Sequence, residues 1–316
     1  MRCLKKSYPF KVDKIYVAGH RGLVGSALVR LIETQANLSW VGRSHAELDL
    51  CDRGEVFRYI KNETPDIVVV AAARVGGIGA NSANPVQFLS DNLQIATNIL
   101  DACHAANIER VLFLGSSCIY PRLSPQPIKE EYLLTGELEP TNEAYALAKI
   151  SGLKLVQAYR RQYGRRWIAA MPTNLYGPGD NFDLETSHVL PAMIRKFHQA
   201  KIDERDSVVL WGTGTPRREF LHVDDLASAC LHLLKSYDSD IVINVGCGED
   251  ISIHELAEEI RDVVGFKGKI HWDRSKPDGT PRKLLDTSRL SQLSWKPTID
   301  LRTGLASTYE SFLSNL

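Results

Sequence analysis

Tyr145 and Lys149 stand four residues apart in "TNEAYALAKISG". On a helix that spacing puts both side chains on one face, one turn apart. A tyrosine is a poor acid–base group at neutral pH, with a reference pKa of about 10. A cation one turn away favours its anion and lowers that value. Such pairs are common on solvent-facing helices, so context has to decide. Here the pair follows "GSSCIYP", which closes the apolar run "RVLFL" and brings Ser116, Ser117 and Cys118 to the end of a predicted strand. Cys118 reads either as a small buried hydrophobe or as a thiol with a chemical task. His188, at the start of a predicted helix in "TSHVLPA", carries the same two readings. A thiol with a reference pKa of about 8.5 and an imidazole near about 6.5 bracket neutral pH from useful sides for moving protons.

A second constellation lies near the N-terminus. "GHRGLVG" sets Gly19, His20, Arg21, Gly22, Leu23, Val24 and Gly25 directly after the first predicted strand and at the start of the first predicted helix. In that context Gly19 permits a tight turn, Gly22 lets backbone approach a pyrophosphate at the helix N-terminus, and Gly25 allows close helix–strand packing. NAD sites usually carry an acid at the end of the second strand to hold the ribose 2′-hydroxyl. Here that strand runs into "WVGRSHAELDL", with Arg43 and His45 in the region and Arg21 inside the loop. Cations suit a 2′-phosphate, so NADP (NADPH) is the expected cofactor. Taken singly, Arg43 and His45 read equally as solvated side chains. Asp49, with Leu50 beside it, comes too late for the ribose and falls nearer an adenine edge.

The elements that position these residues alternate in type. "KIYVAG", "LSWVGR", "DIVVVAAA", "RVLFLGSS" and "WIAAMPTNLYG" read as strands, separated by segments with apolar residues at helical spacing. The fold class expected is α/β, a Rossmann-type doubly wound parallel sheet, with a smaller C-terminal substrate-binding lobe. The boundary is set at residues 1–175 for the NADP-binding domain and 176–316 for the lobe, with return segments near 220–247, where "IVINVG" rejoins the main sheet. In the lobe, "NFDLETSH", "WGTGTPRREF" and "SKPDGTPRK" read as ligand-facing loops. A capping box, Ser252 to Glu255, opens "SIHELAEEIRDVVG".

Bulk properties narrow the function class. Lys plus Arg equals Asp plus Glu at 38 each, so no net field draws the chain to nucleic acid or a membrane. The 316 residues, 44% hydrophobic and 24% charged, suit one large core with an appended lobe. Cysteines at 3, 51, 103, 118, 230 and 247 show no metal-ligand spacing, so no metal is expected. They imply a reducing compartment. A polar N-terminus and the absence of a long apolar run lead to a cytoplasmic expectation.

Serine, Tyr-x-x-x-Lys and the glycine loop, in this order, resemble the short-chain dehydrogenase/reductase superfamily. Length and lobe resemble its extended branch, which acts on nucleotide sugars. Within that branch "AGHRGLVGSA", "AAARVGGIGAN", "GSSCIYP", "PTNLYGPGDNF", "SHVLPA" and "SKPDGTPRKLLD" together resemble the GDP-L-fucose synthase family. The resemblance implies an NADPH-dependent 3,5-epimerase and 4-reductase acting on GDP-4-keto-6-deoxy-D-mannose. It makes Tyr145 the proton donor to a ketone oxygen, Lys149 the holder of the nicotinamide ribose and Ser116 a hydrogen-bond partner of the carbonyl. Cys118 becomes a base and His188 an acid. It adds Ala71, Ala73, Leu114, Gly115, Ser116, Ser117, Pro172, Thr173, Asn174, Leu175 and His188 to the cofactor site. It gives the GDP-sugar to Ser116, Ser117, Cys118, Asn174, Lys196, Trp211, Arg218 and Asp278, and it implies a homodimer. Trp211 reads equally as lobe core, and Lys196 as a solvated helix residue. Sugar dehydratases of the branch carry an acidic pair where this chain has Ser117 and Cys118. One departure is His45, where bacterial relatives commonly have arginine, which leaves more of the 2′-phosphate recognition to Arg21. The rival expectations are another nucleotide-sugar 4-reductase or epimerase and, less in keeping with an intact Ser/Tyr/Lys set, a non-catalytic NADP-binding module.

Overall fold

The computed structural model describes residues 13–276 and 278–316. Cys3 and the polar N-terminal segment lie outside the described residues. The chain opens with β1 (Asp13–Ala18), α1 (Leu23–Glu33), β2 (Leu38–Val41), α2 (Arg53–Glu63) and β3 (Ile67–Val70). It continues with α3 (Ile78–Ala83), α4 (Pro85–Ala105), β4 (Arg110–Leu114), α5 (Glu143–Tyr163) and β5 (Ile168–Pro172). Then come β6 (Asn174–Tyr176), α6 (Val189–Ile202), β7 (Ser207–Trp211), β8 (Arg217–Arg218), β9 (Phe220–His222) and α7 (Val223–Ser236). The last elements are β10 (Ile243–Val245), β11 (Ile251–Ser252), α8 (Ile253–Val264), β12 (Lys269–Asp273), β13 (Arg282–Lys283), α9 (Ser288–Gln292) and α10 (Leu301–Leu313).

Six strands form one parallel sheet in the order β10-β5-β4-β3-β1-β2. The central strands are apolar throughout because both faces are covered, as β3, with every residue buried, illustrates. One face packs against α1 and α7 through Leu28, Ile32, Leu226 and Leu233. The other packs against α2, α4 and α5 through Ile60, Ile99, Leu100 and Leu153. The chain order reverses between β1 and β3, and that switch point is where a doubly wound sheet opens a ligand crevice beyond its strand ends.

A third apolar cluster joins α6, α8 and α10 through Phe197, Leu256, Ile260 and Leu305. The capping box holds at α8: the Ser252 side chain accepts from Glu255 N–H, and the Glu255 carboxylate accepts in return from Ser252 N–H at 2.9 Å. One sequence reading needs correction. "WIAAMPTNLYG" is two strands. Thr173 bonds Val245 across the sheet edge, and the chain then leaves as β6 to pair with β9 in a separate two-stranded ribbon.

Candidate active site

Beyond β1 the backbone turns at Gly19 with φ of +84°, and a Cβ there would stand 2.8 Å from the Ala72 backbone beside Ala71. Gly22 N–H donates to Gly19 O at 3.0 Å. Gly25 is packed so closely that a Cβ would meet Gly19 O at 2.0 Å. Gly22 caps α1 with no side chain over the helix end, and nothing lies nearer than 3.5 Å to where its Cβ would be. Open N–H groups at a helix N-terminus above the switch point fit a dinucleotide pyrophosphate. Leu23 and Val24 pack on the core behind the loop, and His20 lies against Trp40 with ring centroids 5.5 Å apart.

The three cations of this end are not equivalent. Arg43 is engaged: its guanidinium lies 3.4 Å from Glu63 and 5.4 Å over the Tyr59 ring. His45 is 88% exposed and 3.9 Å from Asp49, whose Oδ1 accepts from Cys51 N–H. Leu50 packs on the core beneath. Arg21 is exposed on the glycine loop itself and is the least committed of the three.

At the end of β4, Ser116 begins a 3-10 turn, Ser117–Ile119, that carries Cys118, and the Ser116 hydroxyl accepts from Cys118 N–H at 3.4 Å. Gly115 N–H donates to Ala170 O, which fixes the loop on β5 beside Pro172 and Thr173. The adjoining α5 brings in Tyr145 and Lys149. Lys149 is buried, donates to Leu114 O at 2.8 Å and lies 5.8 Å over the Tyr145 ring. Burial lowers its ammonium to about 8. The expected lowering of the tyrosine is not found. Burial pushes Tyr145 up, a nearby Cys118 thiolate would raise it further, and the Ser116 hydroxyl opposes both. The cause is burial, which outweighs what a cation one turn away could do; the Lys149 ammonium is itself hydrogen-bonded to the Leu114 carbonyl. A high pKa keeps Tyr145 protonated, which is the form a proton donor needs.

His188 arrives from the lobe as the N-cap of α6. Its loop is held by "GGIGAN": Gly77 N–H donates to Thr186 O at 3.1 Å, and a Cβ on Gly77 would stand 2.8 Å from Ser187 O. His188 is an exposed residue at the head of α6. Desolvation, then the charge of Lys283, holds it below its ordinary value. Burial pushes the Cys118 thiol up, and Lys283, Ser116 and Lys149 oppose that rise. Cys118, His188 and Lys283 therefore share one electrostatic neighbourhood. Sequence reasoning missed Lys283. It lies in the quoted "TPRKLLD", but only β13 pairing with β8, Lys283 opposite Arg218, brings it here.

The remaining residues line the lobe side. Arg217 and Arg218 separate cleanly: Arg217 is bound to Asp250 at 2.7 Å, while the half-buried Arg218 reaches only a backbone carbonyl. Trp211 is 66% exposed, which removes its reading as lobe core, and Lys196 lies 5.5 Å over its ring. Lys196 is half-buried, with its ammonium lowered by desolvation, so it is not a freely solvated residue. Asp278 accepts from Thr213 N–H and hydroxyl, tying "GTGT" beneath Trp211. The Asn174 amide donates to Glu219 O at 2.8 Å, bracing β6 on β9 beside Leu175. Ala73 follows the β3 end at the crevice.

A glycine loop thus stands at the switch point, Ser116, Tyr145 and Lys149 at the β4 end and on α5, and His188 at the head of α6. The profile of the NAD dependent epimerase/dehydratase family matches residues 15–246. The chain belongs to that family. Within the family it is 55% identical to GDP-L-fucose synthase 1 of Arabidopsis thaliana, over 97% of this chain and 95% of the relative. It is 51% identical to GDP-L-fucose synthase of Escherichia coli strain K12, over 96% of this chain and 97% of the relative. A solved GDP-L-fucose synthetase of Naegleria fowleri bound to NADP superposes with a TM-score of 0.90 at 29% identity, covering 99% of this chain and 98% of that one.

Proposed function

We propose that the protein converts GDP-4-keto-6-deoxy-D-mannose to GDP-L-fucose. It is an NADP-dependent oxidoreductase that is also a 3,5-epimerase. The observation that carries this reading is the thiol and imidazole of Cys118 and His188 set around the same site as Ser116 and Tyr145, in a chain more than half identical over nearly its full length to a GDP-L-fucose synthase. Protons at C3 and C5 of the substrate lie alpha to its C4 ketone and are the acidic ones. Cys118 as thiolate takes one of them. The C–H pair moves to the ketone oxygen as an enolate, an S–H bond forms, and Ser116 donates a hydrogen bond to that oxygen. His188 returns a proton from the opposite face, and the carbon is inverted. The glycine loop would hold NADPH, which would supply a hydride for C4 when bound, and Tyr145 gives the resulting alkoxide its proton.

Lys149 holds the nicotinamide ribose, and Arg21 reads the 2′-phosphate. Arg218, Lys196, Trp211 and Asp278 take the GDP end, Arg218 by a planar contact to the diphosphate. The labour divides near residue 175, the sheet domain holding the dinucleotide and residues 176–316 mainly the sugar nucleotide. The protein works as a homodimer through α4 and α5, where Leu147 is exposed, and it works in the cytoplasm; among the described residues no helix is long and apolar enough to cross a membrane. Incubation with GDP-4-keto-6-deoxy-D-mannose and NADPH is expected to yield GDP-L-fucose. A product reduced at C4 with both neighbouring centres uninverted would instead make it a plain 4-reductase.

A further inference from the structure

Among the charges around the active site, Lys283 has no task in the reaction just described. It sits on β13, opposite Arg218 of β8, and its carbonyl accepts from Glu219 N–H at 3.3 Å. The strand is pinned on both sides of it. Leu284 N–H donates to Gln126 Oε1 at 2.8 Å, and Leu285 N–H donates to the buried Glu219 carboxylate at 3.1 Å. The side chain is half-buried, and its ammonium makes no hydrogen bond or ion pair among the described residues. An ammonium half out of water is costly unless counter-charge stands close to it, and Glu139 and Glu219 face this one without forming an ion pair among the described residues. Leu285, two residues on, is buried in one apolar cluster with Ile119, the neighbour of Cys118, so the strand runs beside the Cys118 turn.

We propose that Lys283 is the positioning residue that sustains the Cys118 thiolate, the base of the proton transfers at C3 and C5. This rests on the functional reading above. A thiol on a buried turn is a poor base unless a positive charge offsets its desolvation. Of the groups facing Cys118, Lys283 on β13 opposes that desolvation most; Ser116 on its own turn and Lys149 on α5 follow, and Tyr145 on α5 is uncharged. Lys149 is already committed to Leu114 O. The groups facing Lys283 are Cys118, Arg218 on β8, Glu139 before α5, Glu219 and, from α6, His188. The same charge that favours the thiolate disfavours the imidazolium, which makes His188 a stronger acid once protonated. One lysine therefore pushes both partners toward their roles. In the transfer the C–H bond breaks, the S–H bond forms, and negative charge passes from sulfur to the ketone oxygen with no redox change.

The test compares wild type with Lys283→Met, Lys283→Gln and Lys283→Arg, each first shown to melt cooperatively and bind NADPH. Alkylation of Cys118 by iodoacetamide, read on its own peptide by mass spectrometry, titrates the thiolate without any substrate. In the Met and Gln variants the midpoint is expected to rise by about one pH unit, so alkylation at pH 7 slows about tenfold; the Arg variant is expected to keep the wild-type midpoint. Deuterium wash-in at C3 and C5, followed against pH, is expected to have both limbs displaced upward in the neutral variants. An unmoved alkylation midpoint in both neutral variants overturns the assignment, and a rise in KM alone, with the pH profile intact, reassigns Lys283 to the substrate diphosphate. Absence of wash-in by the wild type would be a different result: it overturns the functional reading and leaves the alkylation comparison standing.

Discussion

The two protonic groups on α5 are driven in opposite directions by the same burial. Tyr145 is pushed up and stays protonated, whereas Lys149 falls to about 8, so it is charged at neutral pH and loses its charge as pH rises through about 8. The sign for cofactor binding follows. In the role proposed for Lys149, the cationic form, present below about 8, holds the ribose, so NADPH affinity is expected to fall as pH rises through about 8. Fluorescence titration checks this, and Lys149→Met should flatten the dependence. Tyr145→Phe should keep NADPH binding and slow ketone reduction by about 10²–10⁴, the usual worth of a positioned proton donor. A wild-type reduction rate in that variant would remove Tyr145 from the role. Arg21 reads out separately. Charge-assisted contacts to phosphate contribute roughly 1.5–3 kcal/mol, so Arg21→Ala should weaken NADPH about tenfold or more and leave NADH nearly unchanged. These residues were legible because short spacing fixes them: four residues on a helix, or one turn after a strand. The direction of the Tyr145 pKa was not, because spacing does not tell how far a phenol is taken out of water.

Elements decide which of these side chains meet. The glycine loop shows the local case. A Cβ on Gly25 would overlap Gly19 O at 2.0 Å, whereas Gly79 on α3 has nothing within 4 Å of its Cβ position among the described residues. Gly25→Ala is therefore expected to force α1 off the β1 turn, lower the melting temperature and abolish NADPH binding. Gly79→Ala is the control and should be neutral or stabilise by about 0.5–1 kcal/mol through helix propensity. Thermal melts with and without NADPH distinguish the two. The six-stranded sheet was visible in the alternation of apolar runs with helical spacing, since a strand buried on both faces is apolar throughout. The split of "WIAAMPTNLYG" was not, because a three-residue strand carries no period of its own and β6 leaves the sheet only by its pairing with β9. Two-residue strands such as β8 and β13 carry no periodicity at all. Their register, which sets Lys283 opposite Arg218, is a long-range fact.

At the scale of the whole molecule, the proposed function gives the sheet and the lobe different halves of one reaction. Ser116, Cys118 and Tyr145 stand at the β4 end and on α5, while His188 comes from α6 and is fixed by the contact of Gly77 with Thr186. Epimerisation needs groups from both bodies on opposite faces of the sugar, whereas reduction needs only the sheet side and the cofactor. The two chemistries should therefore come apart under mutation. In D₂O with NADP⁺, which permits no net reduction, wild type is expected to exchange deuterium into C3 and C5 of the keto sugar. Cys118→Ser should nearly abolish this exchange, because an alcohol is far too weak a base at neutral pH. It should still bind NADPH and slowly reduce the uninverted ketone. His188→Asn should retain part of the exchange, since Cys118 can remove a proton and return deuterium to the same face, yet it should not complete inversion. Mass spectrometry counts the deuterium and proton NMR couplings report the configuration, so exchange without inversion is visible. Full exchange by Cys118→Ser would return that cysteine to the packing of the β4 turn and leave the base unassigned.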